Sequence, residues 1–158
     1  FTPGMRALDI GCGAGHNAAW LADQSLEAVG VDFAEAAIAR ATAAHGANPR
    51  LSYHAVDVSR PGVFVGDFDA LIDRGCLHGI EAHLRPGYVE NLLAWSHVGS
   101  RLLLIMKLKR KTPEEMRAEA MSVLGSSFEL LSSDATDFAG PTADMPIQAV
   151  AMRIERTG

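Results

Sequence analysis

Cysteine is scarce in this sequence: two among 158 residues, Cys12 and Cys76. Two are too few for a disulfide framework or a structural zinc site, and no metal site is expected. Both lie in apolar, glycine-flanked settings, which reads as small buried side chains in a reducing compartment. No unbroken apolar run reaches the ~18 residues of a membrane-spanning helix. No secretory leader is recognisable, so the expected location is the cytoplasm. The chain opens at Phe1, directly ahead of its first strand, and upstream residues are expected to be missing from it. Positive charge is also short: 14 Lys and Arg against 19 Asp and Glu leave a net charge of −5. A broad nucleic-acid footprint calls for a basic surface and is disfavoured. Repeats, low-complexity tracts and interdomain linkers are absent. A single domain over 1–158 is therefore expected, long enough to bury a substantial core.

What is present alternates. MRALDI (Met5 to Ile10), LEAVGVD (Leu26 to Asp32), RLSYHAVDV (Arg50 to Val58), FDALID (Phe68 to Asp73) and RLLLIMKL (Arg101 to Leu108) read as strands. Between them stand helical stretches at Ala14 to Gln24, Ala34 to His45 and about Tyr88 to His97, the last closed by Gly99. Thr112-Pro113-Glu114-Glu115 is a helix start, with a threonine cap, proline at the first position and acids in the first turn. That helix runs to about Leu124. FELLSSDATDF and IQAVAMRIE follow as strands, with only AGPTADMP between them. Alternating strands and helices imply a parallel sheet covered on both faces. The closing pair, joined without a helix, implies an antiparallel strand at one edge.

The chemistry gathers at ALDIGCGAGHNAAWLA, Ala7 to Ala22. In such a sheet, ligands bind beyond the carboxyl ends of the strands, where Gly11, Gly13 and Gly15 fall. Glycine permits positive φ and removes the Cβ that would hold a ligand off the backbone. A purely structural turn needs one or two glycines, not three. A dinucleotide loop wants G-x-G-x-x-G around a pyrophosphate, but that last position is His16. This disfavours an NAD-dependent oxidoreductase. Asp9, two residues before Gly11, would repel a pyrophosphate yet could hold an ammonium, directly or through water. Asp32 ends the second strand 17 positions after Gly15, where an acid can accept both hydroxyls of a ribose. Asp57 ends the third strand and could accept from an adenine amine while the Val58 N–H donates to a ring nitrogen. Phe33 either covers an adenine face or packs in the core.

With these motifs in this order, the chain resembles the class I S-adenosylmethionine-dependent methyltransferases over nearly its whole length. LDIGCGAG matches the cofactor loop, VGVDF the ribose-binding strand end, AVDV the adenine-contacting one, and FDALIDRGCLHGI the fourth-strand motif. DRGCLHGI is locally similar to the thiopurine methyltransferase branch, where Asp-Arg-Gly follows the fourth strand. It is also similar to a protein-lysine branch with Asp-Lys-Gly there. The resemblance implies a Rossmann-like three-layer α/β sandwich, its seven-stranded sheet mostly parallel with an antiparallel edge strand. It implies S-adenosyl-L-methionine as cofactor, S-adenosyl-L-homocysteine as product, and cofactor contacts at Asp9, Gly11, Gly13, Asp32 and Asp57, with Gly15 shaping the loop.

The expected activity is methyl transfer to an O, N or S atom of a small-molecule acceptor. Alternatives are a protein-lysine methyltransferase of the same fold and a noncatalytic cofactor-binding relative. Such an acceptor must lose a proton, so a nearby base helps. Asp73 is expected to face the reactive end of the cofactor, and His78 is a candidate base near neutral pH. His83 and Tyr88 are placed to line the acceptor site. Arg74 could pair with an acidic substrate group or with Asp73. The basic run KLKRK, Lys107 to Lys111, reads as a solvated cluster or as an attractor for an anionic acceptor. Trp20 and Trp95 read as packing residues.

Overall fold

The computed structural model describes residues 2–63, 66–138 and 146–158. Strand β1 (Arg6–Ile10) leads through the glycine loop into α1 (His16–Asp23). Then follow β2 (Glu27–Asp32), α2 (Glu35–His45) and β3 (Leu51–Ala55). β4 (Phe68–Arg74) is succeeded by two single 3-10 turns, Leu77–Gly79 and Ala82–Leu84, and by α3 (Arg85–Trp95). The remainder is β5 (Ser96–Lys107), α4 (Pro113–Leu124), β6 (Phe128–Phe138) and β7 (Ile147–Arg156). Apart from Pro146, the AGPTADMP connection lies outside the described residues.

The seven strands form one sheet in the order β3-β2-β1-β4-β5-β7-β6. β1 to β5 pair in parallel, and β7 runs antiparallel to both β5 and β6. The β6–β7 pair is the antiparallel margin expected from the sequence, with the reversed strand lying just inside β6. Successive β1 side chains serve opposite faces, as strand periodicity requires. Ala7 joins Leu21 and Ala22 of α1 in one cluster, while Leu8 and Ile10 join Tyr88, Leu92 and Trp95 of α3 and Met116 and Ala120 of α4 in the other. Strand order reverses between β1 and β4, so their carboxyl ends diverge into loops on opposite sides and leave a crevice.

Several boundaries differ from expectation: β3 stops at Ala55, short of Asp57 and Val58, β5 begins at Ser96, and α3 is shifted toward the N-terminus. α3 begins a turn early because Pro86 occupies its first turn, where a missing N–H is harmless. It also ends at Trp95, before Gly99, and the chain passes straight into β5 with the Ser96 hydroxyl donating to the Leu92 carbonyl. α4 starts as read: Thr112 Oγ1 accepts from the Glu115 N–H, and Glu115 Oε2 accepts from the Thr112 N–H. Trp95 is fully buried, but Trp20 is 57% exposed on the outer side of α1 and is not a packing residue.

Candidate active site

A cleft of about 610 Å³ opens at the carboxyl ends of the central strands. Its first wall is Gly11 of the glycine loop, at φ +69°; Gly13 and Gly15 are not on the lining, and Gly15, at φ +82°, is buried behind it. A Cβ on Gly11 would stand 2.8 Å from Cys76 Cβ, and one on Gly15 2.4 Å from the Tyr53 hydroxyl oxygen. Conformation and space thus both demand glycine there. Tyr53 was not foreseen. Its hydroxyl donates to the Gly15 carbonyl at 2.7 Å, and burial pushes its pKa up to about 12, so it remains a donor. Tyr53 pairs across the sheet with Gly30, whose missing side chain lets the ring lie toward the loop; a Cβ on Gly30 would sit 2.6 Å from it. The signal in the sequence is the glycine inside VGVD, which a buried strand would otherwise fill.

Asp32 closes β2 and organises the second wall. Its Oδ2 accepts from Gly13 N and its Oδ1 from Ala34 N, both at 2.9 Å. Each carboxylate oxygen keeps a further lone pair for a ligand hydroxyl. Phe33, 79% exposed, lines the cleft rather than packing in the core. Asp57 and Val58 line it as well; Asp57 Oδ1 holds the turn beyond β3 by accepting from the Ser59 N–H and hydroxyl at 3.1 and 2.7 Å.

The third wall is the turn after β4. Asp73 is fully buried and does not line the cleft. Its Oδ1 accepts from Cys76 N at 2.7 Å, and its Oδ2 from Leu77 N at 2.9 Å and the Tyr88 hydroxyl at 2.8 Å. Burial raises its pKa to about 6, with the Tyr88 hydroxyl and the backbone N–H groups pulling the other way. The next residue, Arg74, does line the cleft, its guanidinium 4.6 Å above the Phe138 ring. Lys107 Nζ sits 5.4 Å from the same ring. Apolar closure comes from Ile80 and Leu84 in and beside the 3-10 turns.

Comparison with known proteins settles the family. A family profile described as "Thiopurine S-methyltransferase (TPMT)" matches residues 1–156. The chain belongs to the thiopurine S-methyltransferase family. Among similar sequences, an uncharacterized methyltransferase of Schizosaccharomyces pombe is 35% identical over 100 residues, covering 61% of this chain and 68% of the relative. The 2-heptyl-1-hydroxyquinolin-4(1H)-one methyltransferase of Mycobacteroides abscessus is 29% identical over 111 residues, covering 69% of this chain. The matched stretch spans about half (49%) of that relative's length. In fold, the chain is similar to the Burkholderia thailandensis 1,6-didemethyltoxoflavin-N1-methyltransferase solved with S-adenosylhomocysteine. The TM-score is 0.78 at 19% identity, over 99% of this chain and 72% of the other.

This thiopurine S-methyltransferase family member is an S-adenosylmethionine-dependent methyltransferase, and the cleft fits that cofactor. A Cβ on Gly13 would meet nothing within 4 Å, so the loop leaves open space where a ligand can press on backbone. Asp32, Phe33 and Asp57 share the cleft beside it. Asp9 sits behind the loop, buried, with Oδ2 accepting from Ala18 N at 3.1 Å and Oδ1 without a hydrogen-bond partner among the described residues. Burial raises its pKa to about 6, although the Ala18 N–H and the nearby Asn17 amide lower it. An orphaned buried acceptor at that place suits a ligand ammonium reached through water.

Several expectations from the sequence need correction. Asp73 and Tyr88 face inward and bond each other instead of facing a substrate. His78 also lies off the cleft lining. Burial first, then Lys109, Lys107 and Arg85, lower its pKa to about 4, which leaves a weak base. His83 is exposed and lies 3.4 Å from exposed Glu81, outside the cleft lining. Cys76, expected to be a plain core residue, is half-buried and lines the cleft, with burial pushing its thiol pKa far up. The basic run is not simply solvated: Lys109 Nζ donates to the His78 carbonyl, and Lys111 pairs with Glu119, which also holds Arg85. Among the described residues no cluster of three or more His, Cys, Asp or Glu could hold a metal ion. No described helix is long and apolar enough to cross a membrane.

Proposed function

We propose that this methyltransferase acts on an O, N or S atom of a small molecule bearing an acidic or anionic group beside the reacting atom. The observation that carries the reading is Arg74, which lines the cleft at the end of β4, with Lys107 of β5 beside it on the same aromatic ring. Arg74 and Lys107 share the Phe138 ring, and among the described residues neither has a carboxylate within ion-pair distance. Stacking on a ring leaves the in-plane N–H groups of a guanidinium directed outward for a planar anion. Arg74 repels an ammonium, which argues against a protein-lysine acceptor placed beside it. The names of the mycobacterial and Burkholderia relatives, a hydroxyquinolinone and a toxoflavin precursor methyltransferase, point to small heterocycles in the same way.

S-adenosylmethionine, when bound, supplies a methyl group on a good leaving group, so the protein's part is mainly to position the acceptor. Asp32, Asp57 and Phe33 are suited to the ribose and adenine, and Asp9 to the amino group behind the glycine loop. Arg74 orients the acceptor and lowers its pKa, because a cation at close range favours the ionised form. With the acceptor held as an anion, neither His78 nor Asp73 is required as a base.

The test is methyl transfer from labelled donor across matched panels of acidic, neutral and amino-bearing small heterocycles, alongside a lysine peptide. Acidic thiols and hydroxyls should react best, and Arg74→Ala should raise the acceptor KM by about tenfold through loss of a charge-assisted contact. Preference for amines or the peptide, or an unchanged KM in Arg74→Ala, would overturn the assignment.

A further inference from the structure

We infer that Asp73 is a positioning residue that sets the wall of the cofactor cleft through Cys76; the role rests on this cleft being the S-adenosylmethionine site. Ile10 and Asp73 are register partners in the β1–β4 pair. The chains leaving them, the glycine loop and the Arg74–Leu77 turn, therefore start side by side as opposing walls. Asp73 turns back into the protein and collects three donors: Cys76 N, Leu77 N and the Tyr88 hydroxyl. Such bonds to a fully buried carboxylate are charge-assisted and strong, so the turn cannot shift without leaving a buried polar group unpaired. Tyr88 belongs to α3 and is itself fully buried, which fixes the carboxylate to the body of the domain.

Cys76 carries the effect to the ligand. It lines the cleft and packs so closely on the glycine loop that Gly11 has no room for a Cβ. The path Tyr88–Asp73–Cys76–Gly11 thus ties α3 to the loop. Asparagine cannot replace the carboxylate, because it has one acceptor oxygen and its amide N–H groups would confront donors. The ribose and adenine end is held by residues of β2 and the turn after β3, none of which bonds Asp73. Loss of Asp73 should therefore weaken the amino-acid half of the cofactor and spare the nucleoside half.

Two probes separate these halves: S-adenosylhomocysteine, and 5′-methylthioadenosine, which lacks the amino acid. Each is titrated by competition calorimetry into the wild type, Asp73→Asn and Tyr88→Phe, at a temperature where circular dichroism shows each protein folded. Asp73→Asn should lose about tenfold in affinity for S-adenosylhomocysteine and Tyr88→Phe about threefold, as expected for lost bonds to a charged group. Methylthioadenosine binding should stay within about twofold in both, since among the described residues no hydrogen bond ties Asp73 to Asp32, Phe33 or Asp57. Retained S-adenosylhomocysteine affinity, or equal weakening of both probes, would overturn the inference; equal weakening is what a merely structural residue would give. If Asp73→Asn does not fold, Tyr88→Phe carries the same comparison. A wild type that binds neither probe would instead refute the placement of the cofactor site.

Discussion

The three loop glycines are not equivalent, and substituting alanine at two of them separates folding from binding. At Gly15 the backbone has φ +82° and a new methyl would stand 2.4 Å from the Tyr53 hydroxyl oxygen. The left-handed conformation costs a residue with a Cβ about 1–2 kcal/mol. Displacing the ring forfeits the 2.7 Å bond from Tyr53 to the Gly15 carbonyl, about 1 kcal/mol more. Gly15→Ala should thus lose roughly 2–3 kcal/mol, a drop of about 5–10 °C in Tm for a domain of this size. Gly13 has φ +55° and nothing within 4 Å of a built Cβ, so Gly13→Ala should pay only the conformational penalty of about 1 kcal/mol. The order reverses for affinity: the Gly13 methyl enters the open space beside the loop, where the cofactor is proposed to press on backbone, and should weaken S-adenosylhomocysteine by about tenfold or more. Urea unfolding and calorimetry on both variants supply the four numbers. In a cycle with Tyr53→Ala, the Gly15→Ala penalty should shrink by about 1 kcal/mol as the clash is removed. Equal stability of the two alanine variants, or an additive cycle, would refute the account of Tyr53 as the brace of this loop.

Two further outcomes are expected. Asp32→Ala removes the acceptor for Gly13 N and Ala34 N together with the proposed ribose acceptor, and should weaken S-adenosylhomocysteine more than about tenfold; an unchanged Kd in calorimetry would contradict that placement. Asp9 is raised from 3.8 to about 6, chiefly by burial. Its contribution to stability is therefore fully present below pH 3.8 and is lost as pH rises to about 6. Asp9→Asn escapes that loss and should gain on the wild type by roughly 2–3 kcal/mol between pH 4 and 7. Urea midpoints across that range measure the gain, and a pH-independent difference would show that the carboxylate is not desolvated. His78, depressed to about 4 mainly by burial, acts in the opposite sense, losing its contribution as pH falls; comparing Asp9→Asn with the wild type cancels it.

Much of this enzyme was legible along the chain, because the deciding interactions are local. Positive φ at the loop glycines, the Thr112–Glu115 cap and the alternation of buried strands with amphipathic helices are properties of a few neighbouring residues. So was the place of Asp32, since a strand end and a loop at known spacing bring it to the cleft. The end of α3 was misjudged because Gly99 carries the turn signal while the chain had already turned into a strand at Ser96.

The placements of Asp73, Arg74 and Tyr53 were decided only by tertiary packing. Asp73 and Arg74 are adjacent acid and base at a strand end, and nothing in their sequence says which turns inward. Tyr88, fifteen residues on, supplies the buried donor that draws Asp73 inside, while Phe138 supplies the ring that holds Arg74 at the cleft. Tyr53 reaches a carbonyl 38 residues away through the gap left by Gly30. Backbone conformation follows from nearby residues, but the desolvation and hydrogen bonding of a side chain depend on which distant elements close over it.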